Sequence, residues 1–283
     1  MPISQHLITA SQQLKNISDS ARLDAEVLLA HSLQKNRTWL ATWSDKDLTK
    51  AEINAFELLL NRRLQGEPIA HITGSREFWS LDLRVSKDTL IPRPETELMV
   101  EHILENQPQA AAINLLDLGT GSGAIALALA SERPAWNIIA TDQSDAALEI
   151  ARQNAERLKL NNIRFVSGSW FDALKNLDGA APQFDIIASN PPYIPQQDPH
   201  LSQGDVRFEP ISALASGDDG LDDIRQICQQ ANAFLKPSAM LIIEHGFDQK
   251  KQMQAIFSQF GYKDIQQIAD LSGQPRLSSG IKP

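Results

Sequence analysis

The chain has 283 residues, 42% hydrophobic and 22% charged, with a formal net charge of -9. That is an ordinary globular composition, long enough for one large or two unequal domains, and its acidic balance argues against non-specific nucleic-acid binding. The single cysteine, Cys228, excludes a disulfide framework or a cysteine-based zinc site within the chain.

Residues 1–75 read as all-helical. Ile3, Leu7, Ile8 and Leu14 give one amphipathic stretch. Asp19 and Ser20 offer a cap before Leu23, Val27, Leu28 and Leu33. Thr49 and Glu52 form a capping box for a long helix through Ile53, Phe56, Leu59, Leu60 and Leu64, which Gly66 and Pro68 stop. Nothing in this bundle reads as catalytic, so its expected role is to bind a partner or support the rest of the chain. The N-terminus has no basic region leading into an apolar core, and no run of about 18 apolar residues occurs. A cytoplasmic protein without a membrane span is expected.

Residues 76–94 change period. Glu77-Phe78-Trp79 and Leu81–Val85 alternate like two short strands around Ser80, a linking hairpin. Pro92 and Pro94 then fix an extended path, read as a rigid segment folding over the pocket of the following domain. Glu95 and Glu97 suit the first turn of a helix through Leu98 to Leu104.

The third segment, 95–283, alternates strand and helix. Strands are expected at 113–118, 137–141, 163–166, 184–189 and 240–244, with helices at 124–131, 144–160, 221–235 and 250–260. A long polar loop covers about 194–219. Closing strands at 263–269 and 276–281 lack an intervening helix. The fold class is therefore α/β, a doubly wound, mostly parallel sheet with an antiparallel end.

Two strand ends carry the chemistry. After the first comes Gly119-Thr120-Gly121-Ser122-Gly123, whose glycines let backbone approach a ligand closely. The turn alone does not separate a dinucleotide from another nucleotide-like ligand. Asp142, at the end of the next strand, is placed to accept hydrogen bonds from ribose hydroxyls, and Asp117 could take a ligand ammonium group. A ligand with both an amino-acid and an adenosine end is S-adenosylmethionine. Trp170 suits an adenine ring as well as it suits the core. Asn190-Pro191-Pro192-Tyr193 follows the fourth strand. The Asn190 side-chain oxygen and the Pro191 carbonyl could accept the two N–H groups of an amide or amino nitrogen, with Tyr193 stacked on the planar group. The six histidines are assigned no role, and paired aspartates at 218–219 and 222–223 read as helix N-terminal charge rather than a metal site.

Asp117 to Gly123 resembles the first motif of class I S-adenosylmethionine-dependent methyltransferases, and Asn190 to Tyr193 the fourth motif of those that methylate amide or exocyclic amino nitrogens. The helical N-terminus, Arg76–Trp79, Ile91–Glu97 and Arg207-Phe208-Glu209-Pro210 resemble the HemK-type glutamine methyltransferases of peptide-chain release factors. The ribosomal-protein L3 glutamine methyltransferases share the tetrad but differ in the linker. The resemblance implies a Rossmann-like, seven-stranded methyltransferase domain behind a helical substrate-binding domain. It implies methyl transfer to the glutamine of the Gly-Gly-Gln motif of class-1 release factors, which modulates translation termination, with S-adenosylhomocysteine as co-product. By the family's pattern Gly119, Thr120, Gly121, Ser122, Gly123, Asp142, Trp170 and Asn190 hold the cofactor, and Asn190, Pro191, Pro192 and Tyr193 hold the glutamine amide. No metal, no stable nucleic-acid binding and a monomer are expected. The alternatives are methylation of L3 or of a nucleic-acid amino group, a dinucleotide-dependent oxidoreductase, and a non-catalytic interaction protein.

Overall fold

The computed structural model describes residues 1–108, 112–177 and 182–283. The chain divides into Met1–Ser75 with Gly204–Phe208, and Arg76–Gln203 with Glu209–Pro283.

The first unit is built from α1 (Ile3–Leu14), α2 (Ala21–Leu33), α3 (Arg37–Thr42), α4 (Lys50–Leu64) and α5 (Ile69–Thr73). Its core joins Ile3, Leu7, Leu14, Leu28, Leu29, Leu40, Phe56 and Leu60. The Thr49–Glu52 capping box is present. The inward face of α1 differs from the sequence expectation: Ala10 is buried, whereas Ile8 is 44% exposed. In α2 Ala25 and Leu29 are buried and Leu23 is exposed. The reason is a polar residue at the core position: Asp24 is buried and takes Arg63 Nε at 2.9 Å, while Arg63 Nη1 reaches Asp205 at 2.8 Å. A buried carboxylate rotates the helix toward its partner, because leaving it unpaired costs several kcal/mol. The short helices α3 and α5 are too brief to show a period in sequence.

The second unit opens with the hairpin β1 (Ser75–Phe78) and β2 (Leu81–Arg84). Its two turn residues, Trp79 and Ser80, lie in the left-handed region at φ 51° and 59°. Such a turn matches strand twist but usually takes glycine or asparagine. Here carboxylates hold it: Glu97 accepts the Trp79 N–H at 2.7 Å and Glu77 the Ser80 N–H at 2.8 Å. Glu97 therefore serves the hairpin as well as starting α6 (Glu97–Glu105), and Glu95 sits in the preceding 3-10 turn.

Then follow β3 (Asn114–Leu118), α7 (Ala124–Glu132), β4 (Asn137–Asp142), α8 (Asp145–Leu158), β5 (Ile163–Ser167), β6 (Phe184–Ser189), α9 (Asp222–Ala231), β7 (Leu235–Glu244), α10 (Lys250–Gln259), β8 (Lys263–Ala269) and β9 (Pro275–Ile281). Among the described residues the sheet has seven strands in the order β5-β4-β3-β6-β7-β9-β8. Pairings from β5 to β7 are parallel, and β9 enters antiparallel between β7 and β8. This is the expected doubly wound sheet with an antiparallel end. α7 is buried almost all round, as its Ala- and Leu-rich sequence requires. The largest boundary shift is at α9, which stops at Ala231, while Leu235 already pairs with Phe184, so 235–239 is strand, kinked at Ser238 (φ 61°). No helix among the described residues is long and apolar enough to cross a membrane.

Candidate active site

Parallel register aligns four strand ends on one edge. Leu118 pairs with both Thr141 and Ser189, and Asp142 with Ser167. The glycine turn, Asp142, Gly168 and Asn190 therefore emerge side by side, where the strand order reverses between β3 and β6. That reversal opens a crevice in such sheets. A pocket of about 280 Å³ lies there, lined by Gly119, Gly121, Asp142, Trp170, Asn190 and Pro192 among others. Asp88–Leu90 and Pro210, Ser212 and Ala213 also line it, so the segment before Ile91 and part of the long loop close over the strand ends.

The turn is shaped by glycines at φ 71°, 56° and 91° (Gly119, Gly121, Gly123). A side chain on Gly119 would meet the Trp170 ring at 3.2 Å, whereas at Gly121 nothing lies within 4 Å. Gly121 thus offers bare backbone to the pocket. Gly123 faces inward, where a Cβ would fall 2.7 Å from Leu127. Thr120 and Ser122 are buried and do not line the pocket. Thr120 Oγ1 donates to Asp117 Oδ2 at 2.6 Å, and the Ser122 carbonyl accepts from Asn154 at 3.0 Å. Asp117 lies under the turn and off the pocket wall. Burial pushes its carboxyl up to about 7, against the pull of the Thr120 hydroxyl.

Asp142 is held by backbone. Its Oδ2 accepts the Gly121 N–H and its Oδ1 the Ser144 N–H, both at 2.9 Å. Burial raises its pKa and these N–H groups oppose the rise. Each oxygen keeps a further lone pair for a ligand hydroxyl. Trp170 sits over Gly119 in the left-handed region at φ 45°, and its Nε1 donates to Asp223 at 3.0 Å. A non-glycine residue there is strained, and such strain persists only where surroundings fix it.

At the end of β6, Ser189 Oγ donates to the Leu118 carbonyl at 2.8 Å, tying the two central strand ends together. Asn190 Nδ2 donates to Thr96 Oγ1 at 3.2 Å. Pro192 lines the pocket beside Asn190, and Pro191 and Tyr193 flank it in the chain. The Tyr193 hydroxyl donates to Glu244 at 3.3 Å, and its backbone carbonyl accepts from Gln249 at 3.0 Å. Burial and the adjacent Glu244 push the Tyr193 phenol well above its ordinary value. The long loop is anchored as well. Glu209, its side chain fully buried, accepts from Ile91 N at 2.8 Å and pairs with Arg93. Sequence reasoning missed Thr96, Asp223 and Glu244, each far in sequence from the group it holds. The Glu209 motif was noted only through resemblance.

The comparisons agree with this geometry. Residues 5–74 match the family described as the PrmC N-terminal domain, and residues 109–273 a methyltransferase domain family. Release factor glutamine methyltransferases of Shewanella oneidensis and Escherichia coli K12 are 46% and 45% identical, each over 98% of this chain and 95% and 98% of their own lengths. The Vibrio cholerae protein of the same name is 50% identical over 98% of this chain and 96% of its own. A Pyrococcus furiosus methyltransferase structure shares the fold at TM-score 0.52 and 21% identity, covering 78% of this chain and 96% of that one. A Thermus thermophilus 16S rRNA methyltransferase, solved with AdoMet and guanosine, does so at TM-score 0.52 and 18% identity, covering 74% of this chain and 50% of that one.

Proposed function

This chain belongs to the release factor glutamine methyltransferase family, and from that premise we propose that it methylates the side-chain amide of the glutamine in the Gly-Gly-Gln motif of class-1 release factors. The observation that carries the proposal is the placement of Asn190 in the same pocket as Gly119, Gly121 and Asp142. One wall thus suits a nucleoside amino acid and the other an amide.

The residues present fit S-adenosylmethionine. Bare backbone at Gly121, the backbone-held Asp142 carboxylate and the pinned Trp170 ring would hold it, with Gly119 giving Trp170 its room. Thr120, Ser122 and Gly123 support the turn from below. When bound, that group supplies the electrophilic methyl.

The chain's own task is to position the amide nitrogen and draw on its hydrogens. An amide lone pair is delocalised and weakly nucleophilic. Asn190 Oδ1, left open because Nδ2 is engaged by Thr96, accepts one amide N–H, and the Pro191 carbonyl accepts the other. Pro191 and Pro192 keep this backbone out of the sheet ladder. Tyr193, whose hydroxyl donates to Glu244, completes the tetrad and offers its ring to the planar amide. Two acceptors aimed at the nitrogen stabilise the charge it develops, an effect that grows when water is excluded. No strong base is required before transfer, because the proton leaves afterwards. Positioning supplies much of the acceleration.

The helical unit is read as the substrate-binding domain and the enzyme as a monomer acting on a cytoplasmic partner without a metal. Its exposed large apolar side chains, Trp43 and Leu58 foremost, are the candidate docking residues. The test is an acceptor panel: label from S-adenosylmethionine offered to an unmodified class-1 release factor, L3, duplex DNA and ribosomal RNA. Label on the release factor is expected. Label on L3 or nucleic acid alone would replace the substrate.

A further inference from the structure

The backbone of Asn190-Pro191-Pro192-Tyr193 leaves β6 with no ladder to follow, because two consecutive prolines offer no N–H. Fixed φ angles stiffen its middle. The direction of the Pro191 carbonyl then depends on how the two ends are held. The first end is tied by the Ser189 hydroxyl to the Leu118 carbonyl at 2.8 Å. The second end is Tyr193, and the side chain that holds its backbone is Gln249, just before α10.

Gln249 is 5% exposed, and its amide oxygen and both amide hydrogens are engaged. Oε1 accepts the Gly246 N–H at 2.8 Å, which fixes the way the amide faces. Nε2 therefore points at two carbonyls, Tyr193 at 3.0 Å and Asp219 at 3.4 Å. One side chain joins the turn after β7, the last residue of the tetrad and the end of the long loop, all within the second unit. The fit is close. At Gly220 (φ 77°) a Cβ would fall 2.2 Å from the Tyr193 carbonyl oxygen and 2.9 Å from Gln249 Nε2. A residue at the N-cap ordinarily turns its side chain to the first turn of its own helix. Gln249 makes no such bond and reaches instead to a residue 56 positions away. It is not among the residues that line the pocket, so any effect on the reaction passes through Tyr193.

We propose that Gln249 is a positioning residue for methyl transfer: by donating to the Tyr193 carbonyl it fixes the far end of the tetrad, and with it the aim of the Pro191 carbonyl and the Tyr193 ring at the substrate amide. The inference rests on the reading of the tetrad given above. Its distinctive demand is a donor at this position. In Gln249→Glu the shape is kept. The protonated acid can still accept from Gly246 and donate to Tyr193, whereas the ionised one can only accept, and it faces two carbonyls. Gln249→Met has no donor at any pH.

The test compares wild type, Gln249→Glu, Gln249→Met, Tyr262→Phe and Asn190→Ala between about pH 6 and about pH 8, the range over which a buried carboxyl ionises. It measures kcat on an unmodified release factor, S-adenosylmethionine affinity by calorimetry, and thermal melting. Tyr262→Phe is the stability control, since it loses a buried hydrogen bond to the Cys228 carbonyl away from the pocket. Gln249→Met is expected to lower kcat on the order of tenfold to hundredfold at every pH, the scale of a misplaced reacting group. Cofactor affinity should stay within about twofold. The kcat of Gln249→Glu, as a ratio to wild type, should fall as pH rises. The neighbouring titratable groups, Asp219, Glu244, His245 and Asp248, are common to both proteins in that ratio. Tyr262→Phe should melt lower and keep its kcat. A kcat within about twofold of wild type in Gln249→Met, with Asn190→Ala inactive, overturns the inference alone. So does a kcat loss matched by weaker cofactor binding or by an equal loss in Tyr262→Phe, or a Gln249→Glu ratio that is flat with pH. Wild-type turnover in Asn190→Ala would instead remove the reading beneath it.

Discussion

Under the proposed function, individual residues divide into those that face the ligand and those that aim them. Asp142, which lines the pocket, belongs to the first kind. Its carboxylate is already oriented by the Gly121 and Ser144 N–H groups, so a ligand hydroxyl meets a pre-aimed acceptor. Asp142→Ala is expected to weaken S-adenosylmethionine binding by about 1.5–3 kcal/mol, the range for hydrogen bonds to a charged group. Calorimetry reads this directly, and kcat at saturating cofactor should change far less. Glu244, which accepts the Tyr193 hydroxyl, belongs to the second kind, and its ionisation has a cost that pH exposes. Burial raises its carboxyl from an ordinary 4.5 to about 7, with the Thr96 and Tyr193 hydroxyls and Arg276 opposing and Glu95 assisting. A carboxyl whose folded pKa lies above its unfolded one favours the fold at pH below about 4.5. That contribution is lost as pH rises through about 7. Replacing it by Gln should therefore raise the melting temperature relative to wild type more at pH 8 than at pH 5. Equal shifts at the two pH values would mean that Glu244 titrates normally. Asp117, also raised to about 7, is present in both proteins and cancels in this comparison.

At the scale of elements, the site is a set of strand ends and turns supported from a distance. The glycine turn, Asp142, Ser144 and the tetrad were legible in sequence because each is local punctuation: glycines where φ must be positive, polar residues where buried strands stop. The supporting residues were not. Asn190 and Thr96 are 94 residues apart, Trp170 and Asp223 are 53 apart, and Tyr193 and Glu244 are 51 apart. Only the strand order brings them together, and one sequence read along its length carries no sign of those pairings. The same limit hid the inward turn of α2, since Asp24 finds Arg63 39 residues away. Two predictions follow from such supports. Trp170 is strained and pinned by a single hydrogen bond, so Asp223→Ala should loosen the ring and weaken cofactor affinity without lowering the melting temperature appreciably. In the helical unit, Arg63→Met leaves Asp24 buried without its partner. It should destabilise by about 3–5 kcal/mol, as broken buried pairs do. A denaturant titration would show this, and a loss below about 1 kcal/mol would mean that water already screens the pair.

Across the whole molecule, fold class and family were readable because parallel αβ alternation and two short motifs are dense signals. The sheet order, including β9 between β7 and β8, required coordinates, since strand neighbours there are not chain neighbours. The division of labour follows from these parts: a doubly wound unit that carries the pocket, and a helical unit with no catalytic constellation in its sequence. The net charge of -9 suits a protein substrate better than a nucleic acid, whose phosphates it would repel. If the helical unit holds the release factor, Trp43→Ala should raise KM for that substrate several-fold, on the order of 1 kcal/mol. S-adenosylmethionine affinity should be unaffected.

The most direct test of the central claim is mass analysis of the Gly-Gly-Gln peptide from an unmodified class-1 release factor incubated with S-adenosylmethionine and either wild type or Asn190→Ala. The expected result is one added methyl on the glutamine side-chain amide with wild type and none with Asn190→Ala, which still binds the cofactor. A methyl on another residue, or equal methylation by both proteins, would contradict the account.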